Sequence, residues 1–143
     1  MSQQQRSAHI RWSGSIAEGS GTISLSSGVL TDSTFTAATR FGDHPGTNPE
    51  ELLAASLGGC FTMNLANLLT RAGHQVSGLQ TEAHCLLVSE GQGLRISRIS
   101  LRVRGEVPSL DQAAFQALAD EAERTCPISG ALKTEIRVEA TLG

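Results

Sequence analysis

The sequence has no tyrosine, and four phenylalanines and one tryptophan bring its aromatic content to only 3%. It also lacks a basic excess, because 11 Lys and Arg stand against 14 Asp and Glu and leave a formal net charge of −3. Both shortages argue against a nucleic-acid partner, which needs basic residues for phosphates and aromatic rings for stacking on single strands. The acidic balance also argues against an anionic membrane surface, since such a surface attracts basic residues.

Long apolar runs are absent as well. No stretch of about 18 consecutive residues is apolar, and residues 1–7 are polar, so we expect neither a membrane partner nor an export signal. The three cysteines (Cys60, Cys85 and Cys126) are an odd number, and their spacing contains no Cys-x-x-Cys zinc pair. They therefore predict neither a disulfide framework nor a zinc cluster. A cytoplasmic protein with reduced thiols is the expectation.

Motifs for cofactors and for serine catalysis are also missing. The four histidines show no His-x-x-x-His or Glu-His spacing suited to zinc, and they are interpreted as surface residues. Neither Gly-x-Gly-x-x-Gly nor Gly-x-x-x-x-Gly-Lys occurs, and no serine lies in Gly-x-Ser-x-Gly. The sequence therefore predicts no metal and no cofactor.

What is present fits one soluble globular domain. Its 143 residues are 39% hydrophobic and 17% charged, which is typical of a single packed core. Alternating apolar residues predict strands, and apolar residues at helical spacing predict helices, in the order βββ-α-ββ-α-β of an α+β fold. The predicted parts of this single domain, residues 1–143, are N-terminal strands within 8–39 (the last a β-prone run at 34–39), a loop at 40–48, a central helix at 49–72 and a C-terminal α+β part at 76–143.

The predicted central helix has a strong start signal. Asn48 is a good N-cap, Pro49 suits the first helical position, and Glu50 complements the positive end of the helix dipole. Gly73 is a plausible C-terminal cap. Apolar residues cover most of the circumference, so the helix is expected to be buried in a core or at a subunit interface.

Two of the three cysteines allow two interpretations. Cys60 is either an inert buried thiol or a reactive one, and Gly58-Gly59 before it indicate close approach by a backbone or a ligand. Cys126 precedes Pro127 at a helix break, where the dipole could stabilise a thiolate, or else it is a small hydrophobic residue at the junction. Cys85 shares its parity with inward-facing strand residues and is interpreted as core.

Arg40 and Glu50 are the remaining candidates. Arg40 lies near the start of the long helix, where its guanidinium would favour the thiolate of Cys60 if the two were close. Glu50 could hold that guanidinium through a bidentate pair. The alternatives are a solvated surface arginine and a glutamate that only complements the helix dipole.

These residues combine into a recognisable pattern. The segments that carry it are Thr39-Arg40-Phe41, Gly46-Thr47-Asn48-Pro49-Glu50-Glu51-Leu52-Leu53, Cys60-Phe61 and Cys126-Pro127-Ile128-Ser129. Over essentially its whole length the chain resembles the OsmC/Ohr family, the osmotically inducible protein C and organic hydroperoxide resistance proteins. Trp12 and the segments 21–24 and 27–30 place the resemblance closer to the OsmC branch. Gly58-Gly59 depart from the small residues, such as Ala-Ala, that the family usually carries there.

The resemblance implies a thiol peroxidase that reduces organic hydroperoxides in stress defence. In it, Cys60 would be the peroxidatic thiolate, Cys126 the resolving cysteine that forms a disulfide with it, Arg40 the group that stabilises the thiolate and polarises the peroxide, and Glu50 the residue that orients Arg40. It also implies an external dithiol reductant, with lipoyl proteins as candidates. The implied fold is an intertwined homodimer whose sheets wrap the central helices, with active sites at the subunit interface.

Two other functions fit the same fold, because a fold does not fix its function. One is a non-enzymatic protein that binds hydrophobic ligands, although such a protein needs neither two cysteines nor Arg40. The other is a thiol redox sensor that signals through the Cys60–Cys126 bridge. No basic helix-turn-helix is evident, which argues against a transcriptional sensor.

Overall fold

A computed structural model describes all 143 residues. The chain divides into two compact units, Met1–Leu52 and Leu53–Gly143, which are described in turn. Its elements in chain order are β1 (Ala8–Ser13), β2 (Ser20–Leu25), β3 (Ser33–Phe35), α1 (Ala37–Phe41), α2 (Pro49–Arg71), β4 (Gly78–Glu90), β5 (Gly93–Glu106), α3 (Gln112–Arg124), α4 (Pro127–Ala131) and β6 (Glu135–Leu142). The predicted α+β class and element order are confirmed, with two short helices, α1 and α4, added.

The first unit contains a three-stranded antiparallel meander in the order β1-β2-β3. Gly21 pairs with Trp12 on one side and with Phe35 on the other. The rings of Trp12 and Phe35 lie 5.5 Å apart. A Cβ at Gly21 would overlap the Phe35 ring, so the glycine provides the space in which the aromatic pair packs.

The β-prone run at 34–39 is only partly a strand. β3 ends at Phe35, and α1 begins at Ala37 inside the segment predicted to be extended, so the predicted loop at 40–48 also starts as helix. Thr36 and Thr39 form a reciprocal capping box, in which each side chain accepts from the other residue's backbone N–H. Threonine side chains that satisfy backbone donors in this way override the β propensity of the run.

The second unit contains the sheet β4-β5-β6. β4 and β5 form an antiparallel hairpin around Gly91, whose φ of +62° favours glycine. β6 pairs with β5 in parallel, and α3 and α4 supply the crossover that a parallel connection requires. Gln112 and Gln116 of α3 hydrogen-bond to the backbone of β6 and fix the helix to the sheet edge.

One buried cluster fills the second unit. The α2 residues Leu57, Phe61, Leu65 and Leu69, spaced four apart on one helix face, are all 0% exposed. Residues of the sheet and of α3, including Leu101 and Phe115, complete the cluster. Cys85 packs against it as a partly buried residue, in agreement with its interpretation as core.

The ends of α2 follow the predicted signals. Asn48 Oδ1 accepts from the backbone N–H of Glu51 at 2.8 Å. At the other end the N–H groups of Gly73 and His74 bond to the carbonyls of Thr70 and Leu69, which is the Schellman arrangement. The helix is long and apolar enough to cross a membrane by length and composition, a property that the core helix of a soluble protein shares, and 33% of its apolar window is buried.

Gly105→Ala tests the packing of α3 on the sheet. A Cβ at Gly105 would overlap the ring of Phe115, which is fully buried, so we expect a loss of about 1–3 kcal/mol in the free energy of unfolding. Gly93→Ala is the matched control in the same strand, because its added Cβ meets no atom closer than 4.0 Å. Urea unfolding of both variants checks the expectation, and equal stabilities would contradict it.

Candidate functional site

The two candidate cysteines come together in the second unit. Cys60 lies in α2, and Cys126 is the N-cap of α4, directly after the end of α3. Both are free thiols, and the Cys126 thiol donates to Cys60 Sγ at 2.7 Å. Cys126 is 1% exposed and Cys60 is partly buried. The two sulfur atoms can therefore react with each other without a large movement of either helix.

The environment of Cys126 raises the pKa of its thiol. Burial is the main cause, and the hydrogen bond to Cys60 acts in the same direction. The backbone N–H groups of Ser129 and Ile128 oppose these effects but do not reverse them. The sequence-based suggestion that the helix break stabilises a thiolate at Cys126 is therefore wrong in direction, because desolvation exceeds the effect of these donors. Cys126 keeps its proton and acts as the hydrogen-bond donor.

The segment around Cys126 is held by side chains that sequence reasoning did not single out. Ser129 is 7% exposed, and its hydroxyl donates to the carboxylate of Glu123, across the break between α3 and α4. Asn64, one helical turn after Cys60, donates to Thr125 Oγ1 at 2.8 Å. Helical spacing could have indicated that Asn64 shares a helix face with Cys60, because residues four apart lie on the same face. It could not have indicated the hydrogen-bond partners of Asn64, which are 58 and 61 positions away in the sequence.

Gly58 and Gly59 have different surroundings. A Cβ at Gly58 would lie 3.2 Å from the Ala83 Cβ of β4. Gly58 therefore allows α2 to pack closely on the sheet. A Cβ at Gly59 would meet nothing within 4 Å. The packing of α2 on the sheet therefore explains the glycine at position 58 but not the one at position 59.

Arg40 and Glu50 form an ion pair within the first unit. Arg40 Nε lies 3.1 and 3.2 Å from the two carboxylate oxygens of Glu50, and Nη2 lies 2.5 Å from Oε1. Asn48 joins the elements that carry the pair, because its Nδ2 donates to Thr39 O of α1 while its Oδ1 caps α2. The capping box of α1 and the N-cap of α2 thus fix the positions of Arg40 and Glu50.

The pair changes the protonation of both partners. Burial by itself would raise the pKa of the Glu50 carboxyl, but the hydrogen bonds and charge of Arg40, with a backbone N–H, lower it overall. The hydrogen bond to Glu50 raises the pKa of Arg40. Because the folded-state pKa of Glu50 is lowered, the contribution of the pair to stability is present at neutral pH and is lost as the pH falls through that pKa.

The structure thus contains two side-chain pairs made of the four candidate residues. Arg40 contacts Glu50 within residues 1–52, and Cys60 contacts Cys126 within residues 53–143. No group of three or more His, Cys, Asp or Glu side chains is arranged to hold a metal ion. The catalytic roles of the four residues stay predictions at this point.

Comparison with known proteins identifies a family model and several relatives that match the chain. A family model described as OsmC-like protein matches residues 42–141. The chain is 37% identical over 131 residues to the peroxiredoxin OsmC of Escherichia coli (strain K12), which covers 92% of each protein. It is 31% identical over 97 residues to the organic hydroperoxide resistance protein of Xanthomonas axonopodis pv. citri, which covers 68% of this chain and 67% of that protein.

A solved structure is also similar to this chain. The organic hydroperoxide resistance protein OhrB of Bacillus subtilis superposes with a TM-score of 0.71 at 27% identity and covers 96% of this chain and 98% of that chain. The higher identity to OsmC than to the Xanthomonas protein confirms the predicted proximity to the OsmC branch.

In the reduced protein, iodoacetamide should alkylate Cys126 more slowly than Cys60 at neutral pH. The Cys126 thiol is nearly inaccessible and its raised pKa keeps it protonated, whereas alkylation requires the thiolate. Timed quenching followed by peptide mass spectrometry measures both rates, and unfolding in urea should bring them together. Labelling of Cys126 should increase only as the pH rises above the ordinary pKa of a thiol. Equal alkylation rates of the two cysteines in the folded protein at neutral pH would contradict this prediction.

Proposed function

Because the chain belongs to the OsmC-like protein family, we propose that it is a thiol-dependent peroxidase that reduces organic hydroperoxides to alcohols. The observation that carries the proposal is the contact of the Cys60 and Cys126 sulfur atoms at 2.7 Å. The names of its relatives, peroxiredoxin and organic hydroperoxide resistance protein, support the same activity. We place the reaction in the cytoplasm, where such thiols stay reduced.

The first half of the reaction oxidises Cys60. Its thiolate attacks the terminal oxygen of the hydroperoxide, the O–O bond breaks, and the alkoxide takes a proton and leaves as the alcohol. Cys60 becomes a sulfenic acid, so the sulfur is oxidised by two electrons while the hydroperoxide is reduced by two. Cys60 suits this role because Cys126 retains its proton and is buried.

In the second half of the reaction a disulfide forms and is then reduced to the two thiols. The Cys126 thiol loses its proton and attacks the sulfenic sulfur, water leaves, and a Cys60–Cys126 disulfide forms. The 2.7 Å separation favours this step over further oxidation of Cys60. An external dithiol then reduces the disulfide by exchange, and a lipoyl protein is the reductant that we propose. No cofactor or metal is needed in this sequence of steps.

Arg40 supplies positive charge to the reacting centre in this proposal. Glu50 engages Nε and Nη2 of the guanidinium, so that the Nη1 donors lie outside the pair. A fixed guanidinium can stabilise the charge that develops on the peroxide oxygens as the O–O bond breaks. The buried end of the pair is Glu50, whose side chain is 11% exposed, against 34% for Arg40.

We propose that Arg40 and Glu50 of one chain serve the cysteines of a second copy. Glu50 and Cys60 lie on the same helix, and ten residues of α2 correspond to a rise of about 15 Å along its axis. A homodimer of this kind would hold two symmetric sites, each drawing on both chains.

Unpartnered apolar surface supports a dimer of this kind. Ala55, Gly59 and Met63 form an exposed stripe along α2 with a spacing of four residues, and Met63 is 77% exposed. All six residues of β1 are exposed, including Ile10 and Trp12. In such an intertwined homodimer, residues 1–143 act as a single OsmC/Ohr-like domain whose sheets cover the central helices.

Cysteine variants test the peroxidase activity. Cys60→Ser should reduce consumption of cumene hydroperoxide to the uncatalysed rate, because the nucleophile is lost. Cys126→Ser should still consume one peroxide per subunit and then accumulate the sulfenic acid. Cys85→Ser is the matched control and should retain wild-type turnover with a dithiol such as dihydrolipoamide.

The outcomes separate the alternatives. Full turnover by Cys60→Ser would exclude the thiol mechanism. A wild-type protein that forms the disulfide once but does not turn over with any dithiol would be a redox sensor. A protein in which peroxide oxidises neither cysteine would be a binding protein on the same fold.

Subunit mixing tests the composite site. Arg40→Met alone should lower the rate of Cys60 oxidation by about 10²–10³, the usual effect of removing a charge-stabilising donor. Heterodimers of Arg40→Met and Cys60→Ser subunits, co-expressed with two different tags, should recover about half of the wild-type activity, because one of the two symmetric sites regains both residues. No recovery above the Arg40→Met homodimer would show that both residues act within one chain.

A further inference from the structure

Asn64 joins the helix that carries Cys60 to the segment that carries Cys126. Its Nδ2 donates to Ala122 O at 2.9 Å and to Thr125 Oγ1 at 2.8 Å. Both amide protons of the side chain are therefore used, and both go to the last turn of α3. Thr125 immediately precedes Cys126, and Asn64 lies one helical turn after Cys60.

The partners of Asn64 follow from the way α3 ends. Pro127 has no N–H to continue the helix, and the Cys126 N–H bonds instead to Glu123 O at 3.1 Å. Ala122 O is left without the backbone donor that another turn of helix would supply. The Asn64 amide takes that position, while the Thr125 hydroxyl donates to Glu121 O and accepts from Asn64.

The resulting arrangement is closed at two points. One is the sulfur contact between Cys60 and Cys126, and the other, one helical turn along α2, is the Asn64 amide on Ala122 and Thr125. The first point changes chemically during the proposed reaction, when Cys60 gains an oxygen. The second point carries no reacting group and can hold the segment in place throughout.

We infer that Asn64 is a positioning residue that keeps Cys126 beside Cys60 and so speeds disulfide formation after Cys60 has been oxidised. Fixing two reactants next to each other raises their effective concentration without changing their chemistry. Asn64 should thus act on the condensation of the Cys126 thiol with the Cys60 sulfenic acid, in which water leaves. It should leave the attack of Cys60 on the peroxide unchanged. The inference rests on the proposed function for its role in turnover, but the pairing of the thiols can be measured without peroxide.

The experiment compares the single variants Asn64→Ala and Gln112→Ala with the wild-type protein, each starting from the reduced form. Gln112 is the matched control, because its amide also makes two hydrogen bonds from a helix to the backbone, 2.7 Å to Ala140 O and 3.0 Å from Leu142 N, at the opposite end of α3 from Cys126. The equilibrium between dithiol and disulfide is measured against glutathione. Asn64→Ala should disfavour the disulfide by about three- to tenfold, the usual effect of lost hydrogen bonds, and Gln112→Ala should leave it unchanged.

The kinetic arm uses one equivalent of cumene hydroperoxide. Asn64→Ala should form the Cys60 sulfenic acid at the wild-type rate but convert it to the disulfide more slowly by the same factor. Dimedone trapping and over-oxidation to the sulfinic acid should both increase. Thr125→Val should show part of the effect, and Thr125→Ser, which keeps the hydroxyl, should restore wild-type behaviour.

The outcomes distinguish the two hypotheses. If wild-type Cys60 does not react with the hydroperoxide, the proposed function is wrong, while the glutathione equilibrium still tests Asn64. If Asn64→Ala and Gln112→Ala give the same equilibrium, the positioning role is wrong whatever the peroxidase result. Should Asn64→Ala fail to fold, Asn64→Asp keeps the size of the side chain and removes both amide donors, and it should shift the equilibrium in the same direction.

Discussion

The contact between Cys60 and Cys126 depends on the place where α3 stops. Pro127 cannot continue the helix, so the chain turns at Thr125 and Cys126 and starts α4 in a new direction. The turn leaves Cys126 against Cys60, 66 positions earlier in the sequence, with its thiol 1% exposed. Asn64 then donates to Ala122 O, which the interrupted helix leaves open, and the Ser129 hydroxyl donates to the Glu123 carboxylate across the break. The geometry of the sulfur pair is thus a consequence of one helix break and the side chains that stabilise it.

Burial gives the two cysteines different chemistry. Desolvation raises the pKa of Cys126 more than the neighbouring N–H groups lower it, so this residue holds a proton while Cys60 accepts a hydrogen bond from it. A resolving cysteine that is both buried and protonated competes poorly for peroxide. It becomes reactive only toward a sulfur atom that is already beside it, which is the division of labour that the proposed reaction needs.

Local sequence signals predicted much of the fold and only part of the candidate site. Caps at Asn48 and Gly73, the hairpin at Gly91 and strand alternation are encoded within a few residues, so α2, β4, β5 and β6 could be predicted. The reciprocal Thr36–Thr39 capping box overrode the β propensity that had suggested an extended run. The parallel pairing of β5 with β6, the partners of Asn64 and the pKa direction of Cys126 depend on contacts between distant segments. These could not be derived from spacing alone.

The properties of α2 connect function to assembly. One face of the helix is fully buried through Leu57, Phe61, Leu65 and Leu69, while Ala55, Gly59 and Met63 on another side remain exposed. Exposed apolar surface on a helix favours burial against another chain. A Cβ at Gly59 would meet nothing within 4 Å, and a closely approaching partner helix would explain a glycine there. If one association both covers the apolar stripe and completes the site, activity should require the dimer, and a monomer with an intact cysteine pair should still be a poor peroxidase.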